Sequence, residues 1–212
     1  SNRDVILLNS DTVVFNNWID RLQSVAKSDG DIASVTPLSN NATICSYPYT
    51  LCDNNAPLEI SYELLDEFAS SNNSAPVEIP TAIGFCMYVT REAIEQVGVF
   101  NFELFGTGYG EENDWSRRAV NAGFRNLACV NTFVRHVGGA SFLDQKESRI
   151  QSAMSTMEKA HPGYNQTIQD YIRRDPLLQV RVHLDKSRLV NQKKSKNVLF
   201  VTHRRGGGTE KH

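Results

Sequence analysis

The stretch Asp4-Val5-Ile6-Leu7-Leu8-Asn9-Ser10-Asp11-Thr12, residues 4–12, decides how the chain is read. Val5 to Leu8 form an apolar run of strand length. The run stops on an amide, a hydroxyl and a carboxylate. If Leu8 closes a parallel strand, Asn9 and Asp11 project from its carboxyl end, the edge where open α/β sheets bind ligands. Alternation along an extended backbone would put both on one side. Their oxygens are hard ligands, suited to magnesium or manganese. The same residues also suit a plain Asx turn before a helix.

Composition sets the outer bounds. The 212 residues allow one sizeable domain, or a domain plus a fragment. With 22 basic and 24 acidic residues, nothing calls for a nucleic-acid partner. No apolar run approaches the roughly 20 residues of a membrane span, and the start shows no signal-peptide pattern. None of the cysteines Cys45, Cys52, Cys86 and Cys129 sits in a CxxC pair, so free thiols in a reducing cytosol are expected. In that setting the sequons at Asn41, Asn72 and Asn165 are chance matches.

Strand patterns fall at 4–8, at 32–36 (ended by Pro37), at 81–89 with Gly84 inside, at 126–130 and at 133–137. Helical patterns fall at about 17–27, 60–68, 91–97, 111–122, 145–160 and 164–173. On the helix from Glu111, Trp115, Ala119 and Val120 share one face. Ser187 to Lys196 reads as a polar, basic linker. Strands alternate with helices, so an α/β sheet domain is expected up to about residue 185. Both ends look cut, as in a piece of a longer polypeptide.

Further segments are candidates for chemistry. In "GYGEENDWSRR", Glu111, Glu112 and Asp114 crowd a helix start. The helix dipole alone favours anions there by about 0.3–1 kcal/mol each. Crowding also raises a carboxyl pKa and poises one acid to accept a proton. Gly106, Gly108 and Gly110 allow close access. His136 in "VRHVGG" is a structural strand histidine or a ligand for a metal or phosphate. Gly84 in "TAIGFCMYV" is a core bulge or a place where a sugar meets the backbone. "VLFVTHRRGGGTEKH" is a weak phosphate-cradle pattern.

In order, "LLNSDT", "SNNATICSYP", "GFCMYVTREAIEQVGVFN", "FGTGYGEENDWSRRA" and "FVRHVGG" resemble the second half of a bacterial family 2 glycosyltransferase of GT-A fold, over roughly residues 4–145. The resemblance implies a Rossmann-like mixed sheet flanked by helices, truncated at its N-terminal nucleotide-binding half. It implies a domain at 1–145, a helical extension at 146–186 and a linker at 187–196. Residues 197–212 then resemble the opening strand and Gly-rich loop of a family 4, GT-B type enzyme.

For the site, the resemblance implies that Asp11, with Asn9 beside it and His136 assisting, holds Mg2+ or Mn2+ against a nucleotide-diphosphate sugar. Glu112 is the base, with Asp114 second, and Glu111 holds hydroxyls. Gly84 and Phe85 line the donor pocket, with Gly110 at its approach, and Trp115 stacks on a sugar face. The implied reaction is an inverting transfer to a saccharide or lipid-linked saccharide in bacterial surface-polysaccharide synthesis. Its setting would be cytoplasmic, with contact to the inner membrane face through the acceptor. A metal-dependent nucleotidyl- or phosphotransferase and a non-catalytic carbohydrate-binding module are the alternatives. The first would need a basic cluster for a triphosphate, yet the first 90 residues hold few basic side chains.

Overall fold

The apolar runs build one mixed five-stranded sheet. The computed structural model describes residues 2–105, 109–138 and 143–191, without side chains for 143–149. The sheet strands are β1 (Val5–Leu8), β3 (Ile32–Leu38), β4 (Val77–Ile79), β5 (Cys86–Val89) and β6 (Arg125–Phe133). Their spatial order is β1-β5-β3-β6-β4. Only β3 and β6 run parallel; β5 is antiparallel to β1 and to β3, and β4 is antiparallel to β6. A two-stranded ribbon, β2 (Thr12–Val13) with β7 (Arg135–His136), hangs from the ends of β1 and β6.

Alternation sorts the strand residues into two cores. Ile32, Val35, Cys86 and Tyr88 join helices α1 (Trp18–Ala26) and α2 (Tyr62–Ser70) through Leu22, Val25, Leu65 and Ala69. Tyr171 of α7 (Tyr164–Arg174) and Val180 and Leu184 of α8 (Leu178–Asn191) join the same core. Ala33, Met87 and Val89 point the other way. They pack on Ala93 of α3 (Arg91–Val97) and on Trp115 and Ala119 of α5 (Glu111–Asn121). A short helix α4 (Phe102–Phe105) precedes α5, and α6 (Leu143–Ala160) follows β7. The result is a mixed α/β domain with helices on both sheet faces. No helix among the described residues is long and apolar enough to cross a membrane.

Several expected boundaries move, each for a local reason. β1 is antiparallel to its neighbour, so Leu8 does not close a parallel strand. Pro37 does not end β3; the strand continues to Leu38 because the register shifts there, and a proline, lacking an N–H, is tolerated at such an irregularity. The expected strand at 81–89 forms only from Cys86. Before it, Ala82 N donates to Ser116 Oγ at 3.0 Å and Ile83 N to Thr36 Oγ1 at 3.2 Å, so side chains replace strand partners. Gly84 therefore lies in a turn and not inside a strand. α8 extends to Asn191, so the first residues of the stretch read as a linker are helical. Residues 192–212, with the glycine-rich segment, lie outside the described residues, as do Gly106 and Gly108.

One buried ion pair ties the first core to the end of β6. Arg21 Nη2 of α1 lies 2.6 Å from Asp66 Oδ2 of α2. Asp66 Oδ1 accepts from Phe133 N at 2.8 Å, and Arg21 Nη1 donates to Asn131 O at 2.6 Å. Removing one partner of such a pair strands the other charge. Asp66→Ala is expected to lower stability by about 3–5 kcal/mol, read from urea unfolding; a loss below about 1 kcal/mol would refute this role.

Candidate active site

Residues 9–12 form a turn and not an extended strand end. Asn9 N donates to Phe85 O at 2.8 Å, adding one backbone bond beyond β1 and β5. Thr12 Oγ1 then donates back to Asn9 O at 2.7 Å. The alternation expected to place Asn9 and Asp11 on one side therefore does not apply. The ribbon instead sets Asp11 beside β7: Thr12 pairs with His136, and Val137 N donates to Asp11 O at 2.9 Å.

This pairing brings Asp11 Oδ1 to 3.4 Å from His136 Nε2. The other ring nitrogen, Nδ1, lies 2.8 Å from Asn41 O. A carbonyl only accepts, so Nδ1 carries the hydrogen. In the neutral ring, Nε2 then turns a lone pair toward a carboxylate oxygen. Two acceptors face each other, an arrangement that a cation between them, or a proton, completes. An imidazole whose far nitrogen donates to a backbone carbonyl is also the usual form of a metal-binding histidine. The donor set thus fits a hard or borderline divalent ion. Among the described residues no third His, Cys, Asp or Glu completes the group, so a cation would take its remaining oxygens from substrate or water. Asn9 is exposed.

Contacts continue from His136 to the helix α5. The Phe85 ring stacks on the imidazole, with centroids 5.2 Å apart at 20°. Next to Phe85, a Cβ at Gly84 would sit 3.8 Å from Glu112 Cδ. Asp11, His136, Phe85, Gly84 and Glu112 therefore form one continuous row. Glu112 is fixed from behind: Ser116 Oγ donates to Glu112 O at 2.7 Å while accepting Ala82 N. Its carboxyl pKa is raised: burial is the largest cause, the backbone N–H of Glu112 opposes it, the charge of Glu111 adds a lesser rise, and the N–H of Gly110 opposes least. Glu111 is half-buried, and its Oε2 has no hydrogen-bond partner among the described residues.

Two predicted residues stand apart from this row. Asp114 points to the other side of α5, where Oδ2 accepts from Arg118 Nε at 2.8 Å and Oδ1 lies 2.8 Å from His161 Nε2. Both oxygens are engaged, so it is not placed as a second base. Trp115 is 1% exposed, donates Nε1–H to Gly98 O at 2.8 Å and packs edge-on to Phe100. It is a core residue and offers no face to a sugar.

The sequence reading missed the residues that hold the histidine. Buried Asn40 accepts His136 N at Oδ1 (2.8 Å) and donates Nδ2–H to His136 O (2.9 Å). Asn54 donates its N–H and Nδ2–H to Asn40 O at 3.0 and 3.1 Å. The available signal is the Ser-, Asn-, Tyr- and Pro-rich composition of residues 38–57, which by itself indicates only a loop.

No family model matches the chain, and no curated protein sequence matches it. Among solved structures, that of GalNAc-T7 with UDP, GalNAc and Mn2+ is similar at 13% identity with a TM-score of 0.49. The match covers 88% of this chain but 38% of that one, so the chain spans well under half of that protein's length.

Two expectations follow from the geometry. Gly110 has φ +101°, and a Cβ there would lie 2.7 Å from Phe105 Cδ1. Gly110→Ala should cost at least about 1–2 kcal/mol, whereas Gly84→Ala, in ordinary contact with Glu112, should stay within about 0.5 kcal/mol; chemical denaturation of both variants separates them. A raised carboxyl pKa means the folded protein binds more protons between the ordinary glutamate value and the raised one, so Glu112 costs stability as pH rises through that window. Glu112→Gln should therefore melt at a higher temperature than wild type at about pH 7 and at nearly the same temperature at about pH 4. Equal melting at both pH values would disprove the burial effect.

Proposed function

We propose that the chain carries the catalytic row of a metal-dependent glycosyltransferase that uses a nucleotide-diphosphate sugar. One observation carries the reading: the facing Asp11–His136 pair is linked through Phe85 and Gly84 to a carboxyl whose pKa is raised. The ordered motifs resembling family 2 enzymes support the same assignment.

The residues divide the work as follows. Asp11 and His136 would hold a divalent cation, which when bound neutralises charge on the departing diphosphate. Asn41 O fixes the histidine tautomer, leaving Nε2 free to coordinate. Gly84 leaves room beside Glu112, and Phe85, at 3% exposure a core residue that does not line the donor pocket, backs the imidazole of His136. Glu112 takes the proton of an acceptor hydroxyl; its raised pKa makes the carboxylate a stronger base than an ordinary glutamate. The acceptor oxygen then forms a bond to the anomeric carbon while the bond to the diphosphate oxygen breaks. A single displacement of this kind inverts the anomeric centre. Glu111 is suited to hold a neighbouring hydroxyl.

On the resemblance alone, the setting we assign is bacterial surface-polysaccharide synthesis. It would take place at the cytoplasmic face of the membrane, with a saccharide or lipid-linked saccharide acceptor. Residues 197–212 would then open a second glycosyltransferase domain.

The test is a nucleotide-sugar panel with manganese, following nucleoside diphosphate release and the anomeric configuration of the product by NMR. Asp11→Ala and Glu112→Gln are each expected to lower turnover by about 100-fold or more. His136→Ala should raise the manganese concentration needed for half-maximal rate. Release of pyrophosphate, or full activity in both Asp11→Ala and Glu112→Gln, would end this reading.

A further inference from the structure

We infer that His161 is a positioning residue for Glu112, acting through Asp114; the inference rests on the reading of Glu112 as the base. Glu112 and Asp114 are two residues apart, so they lie about 200° apart around α5. Any rotation of the helix that shifts Asp114 must also shift Glu112. What grips the Asp114 side therefore sets where the Glu112 carboxylate stands against Gly84.

That side is held by two kinds of contact. The first come from α5 itself: Arg118 donates to Val97 O at 2.7 Å and Val99 O at 2.9 Å, and Trp115 to Gly98 O. The second comes from outside the helix, from His161 at the corner between α6 and α7, with Nε2 2.8 Å from Asp114 Oδ1. Both side chains are nearly buried, at 12% and 4% exposure, so water replaces this contact poorly.

The corner is rigid enough to act as an anchor. His161 N donates to Met157 O at 2.7 Å and Tyr164 N to His161 O at 3.0 Å, while the Glu158 carboxylate accepts from Gly163 N and Asn165 N. Met157 is fully buried. The same corner also reaches the loop facing Glu112. Buried Tyr164 lies beside Thr81, whose Oγ1 donates to Asn113 Oδ1 at 2.7 Å. One short segment thus lies against both walls of the gap that Glu112 enters: α5, gripped through His161, and the Thr81–Phe85 loop, flanked by Tyr164. Without His161, the Asp114 side of the helix loses one restraint and keeps those of Arg118 and Trp115 to residues 97–99.

The test compares His161→Ala with His161→Gln, whose amide N–H can occupy the place of Nε2–H. In His161→Ala, amide hydrogen exchange over residues 111–116 should rise about tenfold while β3 and β6 stay protected. Carbodiimide labelling of Glu112, read by mass spectrometry, should change in the same variant. With a nucleotide-sugar donor, kcat should fall roughly tenfold to 100-fold, with KM for the donor within about twofold. His161→Gln should restore exchange, labelling and kcat together. If His161→Ala does not fold, His161→Asn, whose amide falls short of Asp114, is read in its place. Unchanged exchange and labelling at α5, or a kcat loss that His161→Gln does not repair, would overturn the proposal. Should the wild-type protein transfer no sugar from any donor, the glycosyltransferase reading falls, while exchange and labelling still decide whether His161 positions Glu112.

Discussion

The site depends on one side chain that reacts with nothing. Asn40 closes both backbone groups of His136 with its carboxamide, donating to the carbonyl and accepting from the N–H. A ribbon two residues long on each side would be marginal by itself. Asn40 supplies what a third strand would, and it does so from a buried position where a polar group is costly unless fully satisfied. Its own carbonyl is held by Asn54, and the adjacent carbonyl, Asn41 O, takes the ring hydrogen of His136. Backbone and imidazole are thereby set from the same dipeptide. The orientation of Nε2 toward Asp11 is a result of loop packing and not of strand geometry.

The acid cluster on α5 resolves into separate roles by helical phase. All three carboxylates gain from the positive end of the helix. Asp114 is then paired with Arg118 and hydrogen-bonded to His161 on the side facing residues 97–99 and 161. Glu112 faces the Thr81–Phe85 turn, away from that pair. Crowding was the sequence-level reason to expect a perturbed acid, yet burial is the larger cause at Glu112 and the charge of Glu111 the smaller. The glycine at 84 fits this division: it admits the Glu112 side chain at van der Waals distance without a strained backbone.

What the sequence made legible was residue type, and what it hid was register. Val5 to Leu8 read as a strand because four apolar residues need burial. Nothing in those residues says that the partner is β5 or that the pairing is antiparallel. Asp11, Glu112 and His136 were nameable because their oxygens and nitrogen suit a cation or a proton. Their proximity arises from contacts between segments about 100 residues apart, which local patterns do not encode. Trp115 shows the opposite error. Its spacing with Ala119 already placed it on the apolar face of α5, and the expectation that it would stack on a sugar set that periodicity aside. Pro37 misled because its missing N–H is harmless where the ladder is irregular. Asn40 and Asn54 were hidden because an asparagine that copies a backbone partner has the same composition as one in a plain loop.

If Asp11 and His136 supply only two ligands to a cation, as proposed, a thermodynamic consequence follows. A magnesium or manganese ion needs about six oxygens or nitrogens, and this pair offers two. At 36% side-chain exposure for Asp11 and 15% for His136, the open side of the pair is reachable from solvent. A cation there would be held weakly until a diphosphate supplied further oxygens. The diphosphate would gain in turn from the cation's charge. By linkage the two gains are equal: whatever factor the cation adds to nucleotide affinity, the nucleotide adds to cation affinity. On the proposed reading the histidine would sharpen this coupling. Because Asn41 O fixes its tautomer, the nitrogen proposed to coordinate is available without rearrangement, and little of the binding free energy would go into ordering the protein. The cost of order falls instead on the loop around Asn40 and Asn54, where it is met during folding.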